Sequence, residues 1–427
     1  MIESIPYGKR RLKFRLPERS LLGILENRSV KTPGTVRLVE RALLKPLGGR
    51  RLEMVSGSAD RICLVVPDST RQAHLKEVLP VILRNIRHTG RIVDIIAATG
   101  LHRPHSAAEL KELVGSSVFK RCRVMSHCQR KSSLIHLGRT RSGVPIVLNK
   151  RVLQYDLIVS VGLIEPHLYA GYSGGAKTVA VGLAGKETVD ATHGVRFLSD
   201  PDTGIGSIRR NPFQLALWEI AQKALVRFAV NVINDPSGRA VAAFAGPVKA
   251  VFEAGCRFSK RIYEVGAGCA ADVVICGVGN PKDVNLYQAS RAMNYVLDSG
   301  SPVLKKGGVL IIAAELRDGA GKSRTERLFY ETLKNIDSPR EFLSSVMKRG
   351  CVAGEHRAYM VARALIDYKI VFVSRRKGPL FRGLPIKCFG DIESAVRYSA
   401  GITGPSARIW IIPKALSTIA RVRRERR

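Results

Sequence analysis

Eight short apolar runs punctuate the chain, at 62–66, 92–97, 157–161, 228–233, 273–278, 309–313, 370–373 and 409–412. Each is rich in β-branched residues and almost unbroken in hydrophobicity, the pattern of a strand buried on both faces of a parallel sheet. Segments between them repeat apolar residues at three- and four-residue spacing and predict helices over 72–84, 212–223, 288–297 and 357–366. Pro80 is expected to kink or divide the first of these. Asn211 followed by Pro212 reads as a helix cap with a proline in the first turn. Near the start, basic residues alternate with apolar ones over 9–15 and look like a further strand.

Strands alternating with helices predict an α/β protein with two α/β domains, mostly parallel sheets, facing each other across an active-site cleft. A Gly/Ala/Cys stretch at 264–271 separates a helical pattern at 253–261 from a new strand and marks the seam. The expected division is an N-terminal domain over 1–266 and a C-terminal domain over 267–400. Residues 401–427, ending in a basic tail, are expected to pack back on the first domain.

Composition changes this picture little. Of 427 residues, 45% are hydrophobic and 25% charged, ordinary globular usage that argues against wholesale disorder. No apolar run approaches the roughly 18 residues of a membrane helix, and residues 1–20 lack the apolar core of a secretory signal. The eight cysteines form no CxxC pair, which excludes the common zinc and thioredoxin-type motifs and suits free thiols in the cytoplasm. Charge is the unusual quantity: 70 Lys and Arg against 35 Asp and Glu leave +35. Such an excess points to a polyanion, but the basic residues are spread along the whole chain and are densest only at 421–427. No RNA-binding motif, zinc finger or basic stripe interleaved with aromatics accompanies them, so nucleic acid is expected only as a non-specific electrostatic partner.

Candidate chemistry collects after the strands, where ligands bind in open α/β sheets. The first cluster, Asp68-Ser69-Thr70-Arg71, can turn backbone amides toward an anion and offers the Arg71 fork to a carboxylate or phosphate, or is simply a helix cap. The second, Thr99-Gly100-Leu101-His102-Arg103-Pro104, sets His102 near a strand's carboxyl end. The third runs from Glu165-Pro166-His167 through Gly171-Tyr172-Ser173-Gly174-Gly175-Ala176-Lys177. It is not a P-loop, because Ala176 stands where a P-loop needs glycine before its lysine. Its glycines suggest close approach to a ligand, with Lys177 as phosphate holder or amine nucleophile, against a flexible surface turn. His193 follows further on. The fourth cluster, Gly277 to Arg291, places Gln288 and Arg291 three apart on one helix face, suited to a carboxylate and a hydroxyl.

Taken together and in order, these motifs resemble the nickel-dependent lactate racemase family, from the strand at 62 to at least Arg291 and more weakly beyond. The resemblance implies a racemase or epimerase of a 2-hydroxy acid that uses a nickel pincer nucleotide, with 1–266 as the catalytic and cofactor-binding domain. It implies covalent attachment of that cofactor at Lys177, with His193 as the protein ligand to nickel. Asp68, Thr70, Gly174 and Gly175 would cradle the nucleotide. Arg71, Gln288 and Arg291 would approach the substrate. His102 and His167 would act as general acid/bases on opposite faces of the carbon being inverted, since an ordinary imidazole suits proton transfer near neutrality.

Two departures fall on the substrate side. The lactate-racemising members carry Lys where this chain has Arg291, and a Trp near the segment Glu355-His356-Arg357-Ala358-Tyr359, whereas the only tryptophans here are Trp218 and Trp410. A 2-hydroxy acid other than lactate is therefore expected. The competing expectations are a basic nucleic-acid-binding protein using the fold as a scaffold, and a non-catalytic cofactor-binding homologue.

Overall fold

The apolar runs become the interior of two sheets. The computed structural model describes residues 2–27, 30–86, 91–352, 354–375 and 378–423. The basic tail predicted at the C-terminus lies outside the described residues from Arg424 to Arg427. In chain order the sheet strands are β1 (Leu21–Ile24), β2 (Arg61–Pro67), β3 (Ile92–Ala98), β4 (Arg123–Ser126), β5 (Leu157–Leu163) and β6 (Val226–Asn234). They continue with β7 (Ala240–Gly246), β8 (Ala271–Gly277), β9 (Leu304–Ala313), β10 (Lys369–Val373), β11 (Lys387–Phe389) and β12 (Ile409–Ile412).

The chain divides into two units. One comprises residues 29–193 and 208–262, the other residues 1–28, 194–207 and 263–427. The first unit holds the sheet β7-β6-β5-β2-β3-β4, parallel except for the hairpin partner β7. The second holds β11-β10-β9-β8-β12-β1, parallel throughout. In the second unit the strands bury alternate residues on opposite faces. Val274 and Cys276 of β8 join one core, with Leu286, Leu310 and Phe372. Val273 and Ile275 join the other, with Ile5, Phe14 and Ile411. Burial on both faces is why these strands read as unbroken apolar runs.

The domain boundaries differ from those expected at both ends of the chain. Residues 1–28 belong with the second unit, because Ile5, Tyr7 and Phe14 of the antiparallel pair Ile2–Tyr7 and Arg10–Arg15 cover its sheet and β1 extends that sheet's edge. Residues 401–423 belong with the second unit and are not an appendage to the first. They supply β12, hydrogen-bonded between β8 and β1, and a strand Ile419–Val422 that pairs in parallel with Glu264–Ala267. The chain crosses between units at 262/263, just ahead of the predicted seam.

Three of the four predicted helices form with shifted ends. Helix Leu75–Arg84 runs through Pro80 without dividing, since the missing amide costs one bond on a face held by buried Val78, Leu79, Ile82 and Leu83. Helix Glu355–Asp367 is longer than its pattern, and the predicted 288–297 helix breaks at Ser290 into Leu286–Ala289 and Arg291–Leu297. Helix Pro212–Lys223 has the expected ends, with the Asn211 side chain accepting from the Gln214 amide.

Candidate active site

In the first unit β5, β2 and β3 are adjacent and parallel, so their carboxyl ends stand side by side. The loops that leave those ends carry the first three sequence clusters. Neighbouring strands thus assemble residues that are about 30 to 100 positions apart in sequence.

Asp68 is buried immediately beyond β2. Its Oδ1 accepts from the Thr70 hydroxyl at 2.5 Å and the Thr70 amide at 3.1 Å, and its Oδ2 lies 2.7 Å from His102 Nδ1. Burial works to raise the Asp68 pKa, but the hydrogen bonds from His102 and Thr70 outweigh it and hold the carboxyl below the usual carboxylate range. The same bond raises His102 above an ordinary imidazole, against burial and the repulsion of Arg71 and Lys177. With Nδ1–H directed at the carboxylate, the neutral ring presents its lone pair at Nε2. The positive φ of Gly100 (55°) and its amide bond to the Gly182 carbonyl, 2.9 Å, set the turn that carries His102.

Arg71 donates from Nη1 to Glu165 Oε1, tying the loop after β2 to the loop after β5. Glu165 is itself fixed: its amide donates to Ser173 Oγ at 3.1 Å, and the Ser173 amide donates back to the Glu165 carbonyl at 2.8 Å. A cavity of about 520 Å³ opens beside Arg71, with Ser69, His74, Glu77, Glu109 and Glu112 in its wall.

The Gly-rich loop begins as a small antiparallel pair, Pro166–His167 with Gly171–Tyr172. His167 Nδ1 accepts from the amides of Tyr169 and Ala170, 3.2 Å each, which places the proton of the neutral ring on Nε2. Gly174 and Gly175 have positive φ, 78° and 55°. A Cβ on Gly174 would stand 2.6 Å from Ile164 Cγ1, and one on Gly175 would stand 2.9 Å from Phe252. The Gly175 amide also donates to Asn231 Oδ1 at 2.7 Å. Both glycines are thus required by the protein packing on itself. Lys177 follows as the first residue of helix Lys177–Ala180.

His193 closes the helix Lys186–Thr192. Its Nδ1 donates to the Val189 carbonyl at 2.9 Å, and the ring stands edge-on to Tyr169 and Phe213, with centroids 5.7 and 5.1 Å away. Burial, and then the Lys177 charge, push it down to about 4. His167 packs against the same two rings, at 5.9 and 6.3 Å. Among the described residues no cluster of three or more His, Cys, Asp or Glu side chains could hold a metal by itself.

The first unit therefore carries Asp68, Thr70, Arg71, His102, His167, Gly174, Gly175, Lys177 and His193. Gln288 and Arg291 belong to the second, where Arg291 Nη1 donates to Gln288 Oε1 at 3.4 Å and confirms their shared face. Sequence reasoning missed Glu165, the partner of Arg71, and the aromatic pair Tyr169 and Phe213. Glu165 stood in view beside Pro166-His167, and an arginine in a loop that needs a fixed orientation was its only signal.

Residues 7–206 match the lactate racemase N-terminal domain family, and residues 267–420 the lactate racemase C-terminal domain family. The chain is 32% identical to lactate racemase of Thermoanaerobacterium thermosaccharolyticum, over 98% of both chains. It is 28% identical to lactate racemase of Lactiplantibacillus plantarum, over 98% of this chain and 99% of that one. The structure of the lactate racemase apoprotein from T. thermosaccharolyticum superimposes with a TM-score of 0.90, at 31% identity over 99% of this chain and all of the other. A Thermotoga maritima protein shares the fold, with a TM-score of 0.67 at 17% identity over 92% of this chain. The chain belongs to the lactate racemase family, a family of isomerases.

Proposed function

We propose that this protein inverts the configuration of a 2-hydroxy acid with a nickel pincer nucleotide attached to Lys177 and ligated by His193. The observation that carries this reading is the state of His193. Its Nδ1 is committed to the Val189 carbonyl and its pKa is pushed down to about 4, so at neutral pH Nε2 offers a lone pair. A neutral imidazole fixed through its other nitrogen is a good ligand for a transition metal, and the edge-on rings of Tyr169 and Phe213 hold its plane. His193 would hold the metal by one nitrogen, and the remaining donors would come from the organic group. The Lys177 charge acts on both His193 and His102, which supports a group attached there being near both. When bound, the cofactor supplies the acceptor and donor for the hydride.

The protein's own residues do the rest. Arg71, oriented by Glu165, offers a cation to the substrate carboxylate. Gln288 and Arg291 offer a second polar pair of the kind a hydroxy acid needs. His102 Nε2 takes the hydroxyl proton, and the Asp68 carboxylate stabilises the imidazolium that forms. His167 serves the opposite enantiomer. Asp68 and Thr70, placed with the nucleotide by resemblance, are bonded to each other, and Asp68 alone is bonded to His102, which supports a positioning role for Asp68.

Protein produced together with the cofactor-synthesis enzymes tests the attachment. Intact mass should show one adduct in the wild type and none in Lys177→Ala. His193→Ala should keep the adduct and lose nickel by elemental analysis. An unmodified wild type, or an adduct that survives Lys177→Ala, overturns the reading.

A further inference from the structure

Beyond β4, the edge strand next to β3, the side chain of Gln129 is bonded in three directions at once. Its Nε2 donates to the Gly100 carbonyl at 2.7 Å and to the Ala184 carbonyl at 2.8 Å, and its Oε1 accepts from the Lys186 amide at 2.9 Å. Only this orientation of the amide works, because a carbonyl can only accept and a backbone N–H can only donate. The loop that carries Gln129 is itself anchored. The His127 amide donates to the Ala97 carbonyl at 2.9 Å, and the Thr99 hydroxyl donates to the His127 carbonyl at 3.1 Å. The fully buried His127 ring directs Nε2 at the same Ala184 carbonyl, 3.1 Å away, and its Nδ1 accepts from Asn149 Nδ2 at 3.2 Å.

Each of the three partners belongs to a segment that carries one residue of the proposed site, and all lie in the first unit. Gly100 opens the turn that holds His102. Its amide is taken by the Gly182 carbonyl, so the Gln129 bond fixes its other side. Ala184 ends the run of turns that begins at Lys177, through the amide bonds from Val181 to the Lys177 carbonyl, 3.0 Å, and from Ala184 to the Val181 carbonyl, 3.2 Å. Lys186 opens the helix Lys186–Thr192 that His193 closes. That helix has no cap of its own. Its capping position is Gly185, where a Cβ would stand 2.8 Å from Val147 Cγ1, so a capping side chain has no room. Gln129, 57 positions earlier, supplies the acceptor instead.

We infer that Gln129 is a positioning residue that locks the segments bearing His102, Lys177 and His193 into one arrangement. This rests on the reading of those three as base, cofactor attachment and metal ligand, and it adds a residue that need touch none of the reacting groups. The chemistry selects the side chain. Two carbonyls need two donors and one amide needs an acceptor, a set that only Gln and Asn carry at one end, and Asn is a methylene shorter. The His102 ring keeps its 2.7 Å contact with Asp68 because the turn beneath it is held. Released from Gln129, that turn would be tied only through the Gly100 amide.

NMR titration of His102 in the protein without cofactor tests this. Gln129→Met, similar in size but without donors, should let the His102 pKa fall toward the ordinary value of about 6.5. Gln129→Asn should fall between Gln129→Met and the wild type. In the cofactor-loaded enzyme Gln129→Met should lower kcat about 10–100-fold with KM little changed, because the loss is in reacting geometry and not in substrate contacts. A role in fold stability alone would lower the unfolding midpoint and leave the His102 pKa and the kcat-to-KM split as in the wild type. Hydrogen exchange of the wild type needs no variant to fold: the Gln129 side-chain NH2 and the Lys186 amide should both be protected. The inference is overturned by freely exchanging Gln129 NH2 protons. It is equally overturned by an unmoved His102 pKa in Gln129→Met or, should that variant not fold, in Gln129→Asn. Inversion at wild-type kcat by Gln129→Met would defeat this inference alone. A His102 pKa that falls in a protein that inverts no 2-hydroxy acid would keep the positioning role and defeat the racemase reading.

Discussion

His102 and His167 are the same side chain held in opposite states. His102 donates its Nδ1–H to Asp68 in a hydrogen bond and presents a lone pair at Nε2, whereas His167 accepts from two amides at Nδ1 and carries its proton on Nε2. His102 is ready to act as a base as it stands. His167 must open its contacts with Tyr169 and Ala170, by turning the ring or shifting that loop, before Nε2 can receive a proton. Nitrogen NMR of histidine-labelled protein should find His167 as the Nε2–H tautomer, and finding Nδ1–H would contradict the geometry. The sign of the pH dependence follows from His102. Its pKa is raised above the ordinary value of about 6.5, and it must be neutral to accept a proton. The rate of substrate oxidation should therefore rise through a pKa above 6.5. Asp68→Asn should move that limb to lower pH and slow the reaction about 10–100-fold, the worth of a charged hydrogen bond. A pH–rate profile of single-turnover oxidation measures both, and an unmoved limb in Asp68→Asn would exclude the pair. The sequence named His102, His167, Lys177 and His193 through motif order, but it could not show their partners. Bonds such as Arg71 to Glu165 join residues that only the neighbouring strands β2 and β5 bring together.

At the scale of elements, what the sequence revealed and what it hid divide along one physical line. The eight strands predicted from apolar runs are interior ones, β6, β5, β2 and β3 in one sheet and β10, β9, β8 and β12 in the other, while the strand expected over 9–15 forms as Arg10–Arg15 in a separate pair. Burial on both faces made each of the eight an unbroken apolar run. The four strands of these two sheets that escaped, β1, β4, β7 and β11, are the sheet edges. Three are only three or four residues long, as in Arg123-Val124-Met125-Ser126 and Lys387-Cys388-Phe389, and β7 is rich in alanine, a poor strand former. The Gly-rich loop shows a similar limit. Its glycines look like a ligand cradle in sequence, yet the space beside Gly174 and Gly175 is filled by Ile164 and Phe252. Gly175→Ala should therefore destabilise the protein by more than about 1 kcal/mol even without cofactor, because φ is positive and Phe252 must move. Thermal unfolding of protein without cofactor is the check, and an unchanged midpoint would return this glycine to the ligand side.

For the whole molecule, the second unit is built from both ends of the chain, which local patterning cannot show. Removing residues 407–427 should unfold that unit, because β12 is bonded on both sides. Trimming should be harmless only beyond 423, since Arg421 and Val422 pair with Gly266 and Ala267, and Arg421 reaches Glu264 at 3.3 Å. Limited proteolysis and circular dichroism of the two truncations would separate these outcomes, and a folded 1–406 fragment would contradict the topology. No helix among the described residues is long and apolar enough to cross a membrane. The net charge of +35, spread along the chain, predicts nucleic-acid binding that is weak, indifferent to sequence and steeply weakened by salt. Tight selective binding that survives high salt would instead revive a nucleic-acid role. Inversion by two histidines is checked by chiral chromatography of enantiopure 2-hydroxy acids incubated with the cofactor-loaded enzyme. Both enantiomers of one acid should converge on a racemic mixture. His102→Ala and His167→Ala should each slow this about 10²–10⁴-fold while leaving the Lys177 adduct and nickel in place. Full racemisation by the double variant, with cofactor and metal bound, would contradict it.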